Sequence, residues 1–221
     1  MRDNKAIGSV AALVIAGSVL TLWFCITGGP GPRIDPAPHK AAGRVLARQT
    51  LSLLKPGGLV TVITRDTLDF QNPATDILFA SFRKELTKGG AKVDSVQQVQ
   101  VDPLRPVAVP SGDFCQLIKK TAKGSVIVSL MGPPVLTDAQ TAQLGQVNPA
   151  IVAFCPGSVR DQVDLRSLFA QGLLQAAVVS KRNSNVKRDG HGTESEIFDQ
   201  QFIAITPGNL ASLSTASNAS P

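Results

Sequence analysis

Two places in this 221-residue chain set reactive side chains among turn-forming neighbours: Arg65-Asp66-Thr67-Leu68-Asp69 and Phe154-Cys155-Pro156-Gly157. The carboxylates of the first could hold a divalent cation through oxygen ligands or serve phosphoryl transfer. That chemistry asks for closer acidic spacing or a third acid, and Ser129-Leu130-Met131-Gly132, at the end of a later apolar run, supplies none. Asp66 also has the plainer reading of a turn or capping residue. The thiol of Cys155 could act as a nucleophile, but it would need a base. Only His39, in a proline-rich stretch, and His191, in a polar one, are available. A buried, inert thiol is the bland alternative. No GxGxxG follows the first apolar run and no GxxxxGK[ST] occurs anywhere, so neither a nucleotide site nor any other cofactor is expected.

The elements that must position these residues alternate along the chain. Leu59–Thr64 is rich in β-branched residues and predicts a buried strand. Asn72-Pro73 predicts a helix start, with Ile77, Phe79, Phe82 and Leu86 on its apolar face and Lys88-Gly89-Gly90 at its end. Val93, Val96, Val99 and Val101 predict a second strand with a bulge or register change. Ser111 or Asp113 can cap a helix to Lys123, and Ser125–Leu130 predicts a third strand. Thr137-Asp-Ala-Gln140 is a capping-box pattern for a short helix to Leu144. Ala150–Phe154 predicts a fourth strand, and Val163, Leu165, Leu168 and Phe169 predict a helix ending near Gly172. Leu174–Val179 and Phe202–Thr206 complete the series, the last as an edge strand, after a polar, breaker-rich stretch from Lys181 to Glu196.

Strands alternating with helices imply right-handed crossovers and a mostly parallel sheet covered on both faces. The expected fold class is α/β, a doubly wound three-layer sandwich over residues 57–208, with a flavodoxin-like strand order as the first choice. In such sheets ligands bind outside the carboxyl ends of the strands. Asp66, Thr67, Met131, Pro133 and Cys155 all fall at those predicted ends, and they are the candidate ligand-binding residues. Cys115 is predicted near the same edge, so a Cys115–Cys155 disulfide is an open possibility outside the cytoplasm.

The last apolar runs carry a resemblance. Leu168-Phe-Ala-Gln-Gly-Leu-Leu-Gln-Ala-Ala-Val-Val179, with Phe198-Asp-Gln-Gln-Phe-Ile-Ala-Ile-Thr-Pro-Gly-Asn209, resembles the closing part of type I periplasmic-binding-like domains. The resemblance implies one lobe-like α/β unit, because two lobes of that fold need far more residues than this chain has. No solute-contacting residue is carried over from it.

Ahead of this domain, Ala6–Thr27 carries no charge, and at ~1.5 Å per helical residue it would cover a bilayer core of roughly 30 Å. Arg2 and Lys5 precede it and Trp23 lies near its far end, as expected of a signal anchor at residues 6–27 with residues 1–5 in the cytoplasm. Cys25 follows the bulky Phe24, unlike the small residue that precedes a lipidated bacterial cysteine. Residues 28–56 read as a spacer, non-helical through the prolines to Pro38, followed by an amphipathic helix from Ala41. Residues 209–221 are a low-complexity tail expected to be disordered. The net charge of +6 is mild and scattered, which argues for proximity to anionic lipid rather than nucleic acid. Lys181, Arg182, Lys187 and Arg188 with His191 form its densest cluster, read as a solvated loop or a contact for headgroups, glycan or an acidic protein.

These observations lead first to a single-pass inner-membrane protein with a non-catalytic extracytoplasmic domain that docks to another envelope protein. A small-solute-binding module is the alternative. An enzyme using Cys155 or Asp66 is the third reading.

Overall fold

The computed structural model describes residues 15, 17–23, 34–66, 72–100, 108–145, 149–157, 159–181 and 192–211. The chain divides into two compact units, Met1–Ile34 and Asp35–Pro221. In the first, the described residues between 15 and 23 are helical, and Ile15, Val19, Leu20, Leu22 and Trp23 are exposed. Among the described residues no helix is long and apolar enough to cross a membrane, and most of the expected anchor at 6–27 lies outside them. Residues 212–221 of the expected tail also lie outside.

The second unit opens with helix α1 (Pro36–Leu53), which overturns the expectation that the chain to Pro38 is non-helical. The reason lies in the helix's first turn, where backbone N–H groups have no intrahelical partner and proline removes nothing. Asp35 caps the helix, its side chain accepting from the Ala37 N–H at 2.9 Å. The face that α1 buries is built from small residues, Ala41, Ala42, Gly43 and Ala47, with Leu46 and Thr50.

Six strands form one sheet: β1 (Val60–Arg65), β2 (Val93–Val99), β3 (Val126–Ser129), β4 (Ala150–Cys155), β5 (Ala176–Ser180) and β6 (Phe202–Ile205). Their spatial order is β2-β1-β3-β4-β5-β6, parallel throughout except for the antiparallel β5–β6 pair. The expected register irregularity of β2 sits opposite Val60/Thr61. Intervening helices are α2 (Pro73–Lys88), α3 (Ser111–Lys120), α4 (Asp138–Leu144), α5 (Val159–Gln162), α6 (Leu165–Ala170) and α7 (Glu194–Gln201).

Alternation along the buried strands builds two cores, one on each side of the sheet. Val60, Val62, Val126, Val128, Val152, Phe154 and Val178 face Leu46, Leu78, Phe82, Leu86 and Phe198, contributed by α1, α2 and α7. Ile63, Ile127, Ile151, Ala153, Cys155 and Val179 face Phe114, Ile118, Leu165, Leu168 and Phe169, contributed by α3 and α6. This is the three-layer arrangement the sequence predicts.

Three local expectations are corrected. The helix read from Val163 to near Gly172 is shorter, Leu165–Ala170, because Asp164 starts α6 by accepting from the Ser167 N–H at 3.1 Å and leaves Val163 outside it. Neither Ser111 nor Asp113 caps α3; Pro110 stands at its N-cap without a side-chain bond. The polar stretch before β6 ends in a true helix, α7, opened by a reciprocal capping box between Thr193 and Glu196. Arg44 ties that helix to α1 through an ion pair to Glu194 at 2.6 Å.

Candidate functional site

The carboxyl ends of β1, β3, β4 and β5 open into one cavity of about 440 Å³. Its wall is assembled in strand order. Arg65 ends β1, Leu130 and Met131 follow β3, Phe154, Pro156 and Gly157 come from the end of β4, and Ser180 and Lys181 from the end of β5. Asn72, Ala74 and Thr75 at the start of α2 close one side. Val159 and Gln162 of α5, Gln201 of α7, Phe202 of β6 and His39 of α1 close the others.

The floor is apolar and aromatic. Phe154 and Phe202 lie 5.7 Å apart between ring centroids, and the His39 ring meets Phe202 edge-on at 6.3 Å. Burial makes the imidazole harder to protonate and lowers the His39 pKa, against the opposing pull of Asp35. Its Nδ1 atom is buried and has no hydrogen-bond partner among the described residues.

The polar rim is held from behind. The Asn72 side chain accepts from the Thr75 N–H at 3.2 Å, which fixes the first turn of α2. Lys181 is anchored at both ends, its N–H donating to the Gln201 carbonyl at 2.8 Å and its ammonium to the Asp199 carbonyl. Among the described residues no carboxylate lines the cavity, and none pairs with Arg65 or Lys181.

Gly132 shapes the boundary with a second cavity of about 410 Å³. Its φ of 99° belongs to the left-handed region, and a β-carbon there would lie 2.8 Å from Cγ1 of Val159. The second cavity is mainly apolar, walled by Val109, Pro133, Val135, Leu136 and Val163, and it shares Met131, Val159 and Gln162 with the first.

Of the residues expected from sequence, Met131 lines both cavities and Pro133 lines the second. Asp66 adjoins the first cavity's Arg65 but is not part of its wall, its N–H instead donating to the Val99 carbonyl at 2.9 Å. Thr67, Asp69 and the cluster Arg182, Lys187, Arg188 and His191 lie outside the described residues. The structure does not bring Cys155 to either cavity: its side chain is fully buried on the opposite side of the sheet from Phe154. Desolvation pushes its pKa up to about 12, which leaves no thiolate for nucleophilic work at neutral pH. Cys115 and Cys155 are both free thiols.

No protein-family model and no curated protein matches this chain. Solved structures do. AraP, an arabinose-binding protein from Geobacillus stearothermophilus, aligns with a TM-score of 0.50 and 14% identity, over 79% of this chain and 62% of its own. A periplasmic ribose ABC transporter from Conexibacter woesei DSM 14684 aligns at 0.47 and 10% identity, over 80% and 60%. A carbohydrate transporter solute-binding protein from Agrobacterium radiobacter, in complex with D-arabinose, aligns at 0.47 and 12% identity, over 81% and 62%. The periplasmic-binding-like resemblance read from the last third of the chain thus extends over about four-fifths of it. The chain spans about 60% of the length of these structures, and the likeness to AraP is one of fold.

Proposed function

We propose that the domain binds a small polar solute in the cavity at the carboxyl edge of its sheet. The observation that carries this reading is the cavity itself: four parallel strand ends deliver polar groups around an aromatic floor, in a volume suited to a small molecule. The fold shared with an arabinose-binding protein supports it. Arg65, Asn72, Thr75, Ser180, Lys181 and Gln201 are the polar contacts, and Phe154 and Phe202 the apolar ones. In this reading the uncharged stretch 6–27 holds the domain at the outer face of an inner membrane.

Binding is tested by thermal unfolding of the full-length chain in mild detergent against monosaccharides, sugar acids and other small metabolites. A solute that binds only the folded state raises stability by ~2.7 kcal/mol at one hundred times its Kd. A saturable rise in Tm for one chemical class, lost in Phe202→Ala, is the expected result. A flat panel overturns the reading.

The second cavity favours a different reading, docking to another envelope protein. Its apolar wall includes Val135, which is 49% exposed. A photocrosslinker placed at Val135 in intact cells tests this, and capture of one discrete partner would support it.

A further inference from the structure

The donor and acceptor count of the cavity wall is lopsided. Arg65 offers five N–H donors and no acceptor; Lys181 offers three, of which one is spent on the Asp199 carbonyl. One of the two acceptor positions of the Asn72 amide oxygen is taken by the Thr75 N–H, which leaves the amides of Gln162 and Gln201 as the main uncharged acceptors. Among the described residues the wall holds no carboxylate, the group that best receives the hydroxyl protons of a neutral sugar. Burial also disfavours the protonated form of His39, so this ring adds no fixed positive charge of its own. What remains is a wall rich in donors and carrying two cations, one at each side. Arg65 and Lys181 end strands three positions apart, on the order of 14 Å at ~4.8 Å per strand, and both line the cavity.

We propose that the solute is an acidic polyol, a sugar-like molecule bearing a carboxylate or phosphate, whose acid group is engaged by Arg65 with Lys181 supplying the second positive charge. This rests on the solute-binding reading and narrows it. A planar guanidinium can grip a carboxylate or phosphate through two parallel bonds, while the hydroxyls face the amides of Asn72 and Gln201, and the ring's apolar face lies on Phe154 and Phe202.

The test compares matched pairs on the full-length chain by calorimetric titration: D-galacturonate against D-galactose, and D-glucose 6-phosphate against D-glucose. At least one acid is expected to bind tenfold or more tightly than its neutral partner, and to weaken as KCl is raised from 50 to 300 mM. The first pair selects carboxylate and the second phosphate. Arg65→Gln and Lys181→Gln are each expected to lower acid affinity about tenfold, Arg65→Gln while leaving the Tm of the unliganded protein in place, and Arg65→Lys to restore part of the affinity. Equal affinity within both pairs, or acid binding untouched by Arg65→Gln, overturns the charge assignment and leaves solute binding standing. Absence of binding by all four compounds, with no neutral solute raising the Tm, overturns both.

Discussion

Phe154 and Cys155 are consecutive residues of β4 whose side chains leave the sheet on opposite sides: Phe154 forms the floor of the cavity with Phe202, and Cys155 is sealed in the core formed with α3 and α6. One step along a strand therefore separates a cavity wall from an inert interior. A thiol fully buried with a pKa of about 12 resists alkylation in the folded protein and becomes reactive only on unfolding. N-ethylmaleimide labelling followed by mass spectrometry should show Cys155 unmodified below the unfolding transition. Solute affinity should be unchanged in Cys155→Ala.

The same thiol makes stability sensitive to alkali. Its pKa rises from 9.0 to about 12 on folding, so the unfolded chain releases its proton first. The contribution is complete below pH 9 and is lost as pH climbs through about 12, at up to ~1.4 kcal/mol per pH unit. Denaturant titrations from pH 8 to 11 should show this decline in the native chain and a shallower one in Cys155→Ala.

Gly132 tests the cavity's shape. Alanine there would combine a left-handed backbone with a β-carbon 2.8 Å from Val159, a residue of both cavity walls. Such strain costs about 1–3 kcal/mol. Gly132→Ala should lower the Tm by several degrees and raise the Kd for solute, whereas Gly112→Ala, in open space on α3, should do neither.

Much of the fold was legible because its signals are local. Asn72-Pro73 does start α2, Thr137 and Gln140 do form a capping box, and the β-branched runs are the central strands. The miss at Pro36–Pro38 came from reading prolines as breakers without locating the helix end they can occupy. Thr193-Glu194-Ser195-Glu196 carried the same capping signature as Thr137, yet the breaker-rich residues before it masked α7. The site was less legible. Periodicity places strand ends, which put Met131 at the cavity, but it does not say which of two adjacent residues faces the cavity. Cys155 was chosen for its chemistry, whereas its neighbour Phe154 forms the wall. His39 comes from a helix distant in sequence and meets the cavity beside Phe202, and Gln201 reaches it from the last turn of α7, whose residues the polar, breaker-rich stretch concealed.

Gly43 measures how tightly α1 is bound to α2. A β-carbon on it would collide with the Leu78 carbonyl and come within 3.0 Å of the Phe82 nitrogen, both backbone atoms that cannot step aside. Alanine gains ~1 kcal/mol of helix propensity over glycine. Overpacking against backbone costs typically 1–3 kcal/mol and more where nothing yields, so the clash wins. Gly43→Ala should therefore lower the Tm by some 2–4 °C for each net kcal/mol lost, where a helix free of neighbours would gain stability.

His39 links the first turn of α1 to the cavity, and its protonation should be felt in both stability and binding. Burial lowers its pKa from 6.5, with Asp35 pulling weakly the other way. A depressed pKa means that the unfolded chain takes up the proton more readily, so this contribution is present above about pH 6.5 and is lost as pH falls through the folded value. His39→Phe keeps an aromatic ring against Phe202 and removes the titration. The native chain should lose Tm between pH 6.5 and 5 by more than His39→Phe does. At pH 7.5 the variant should bind solute more weakly, because its ring offers no polar atom to the cavity that His39 lines. If the two chains share one pH profile and one affinity, His39 is packing alone and contributes no polar contact to the site.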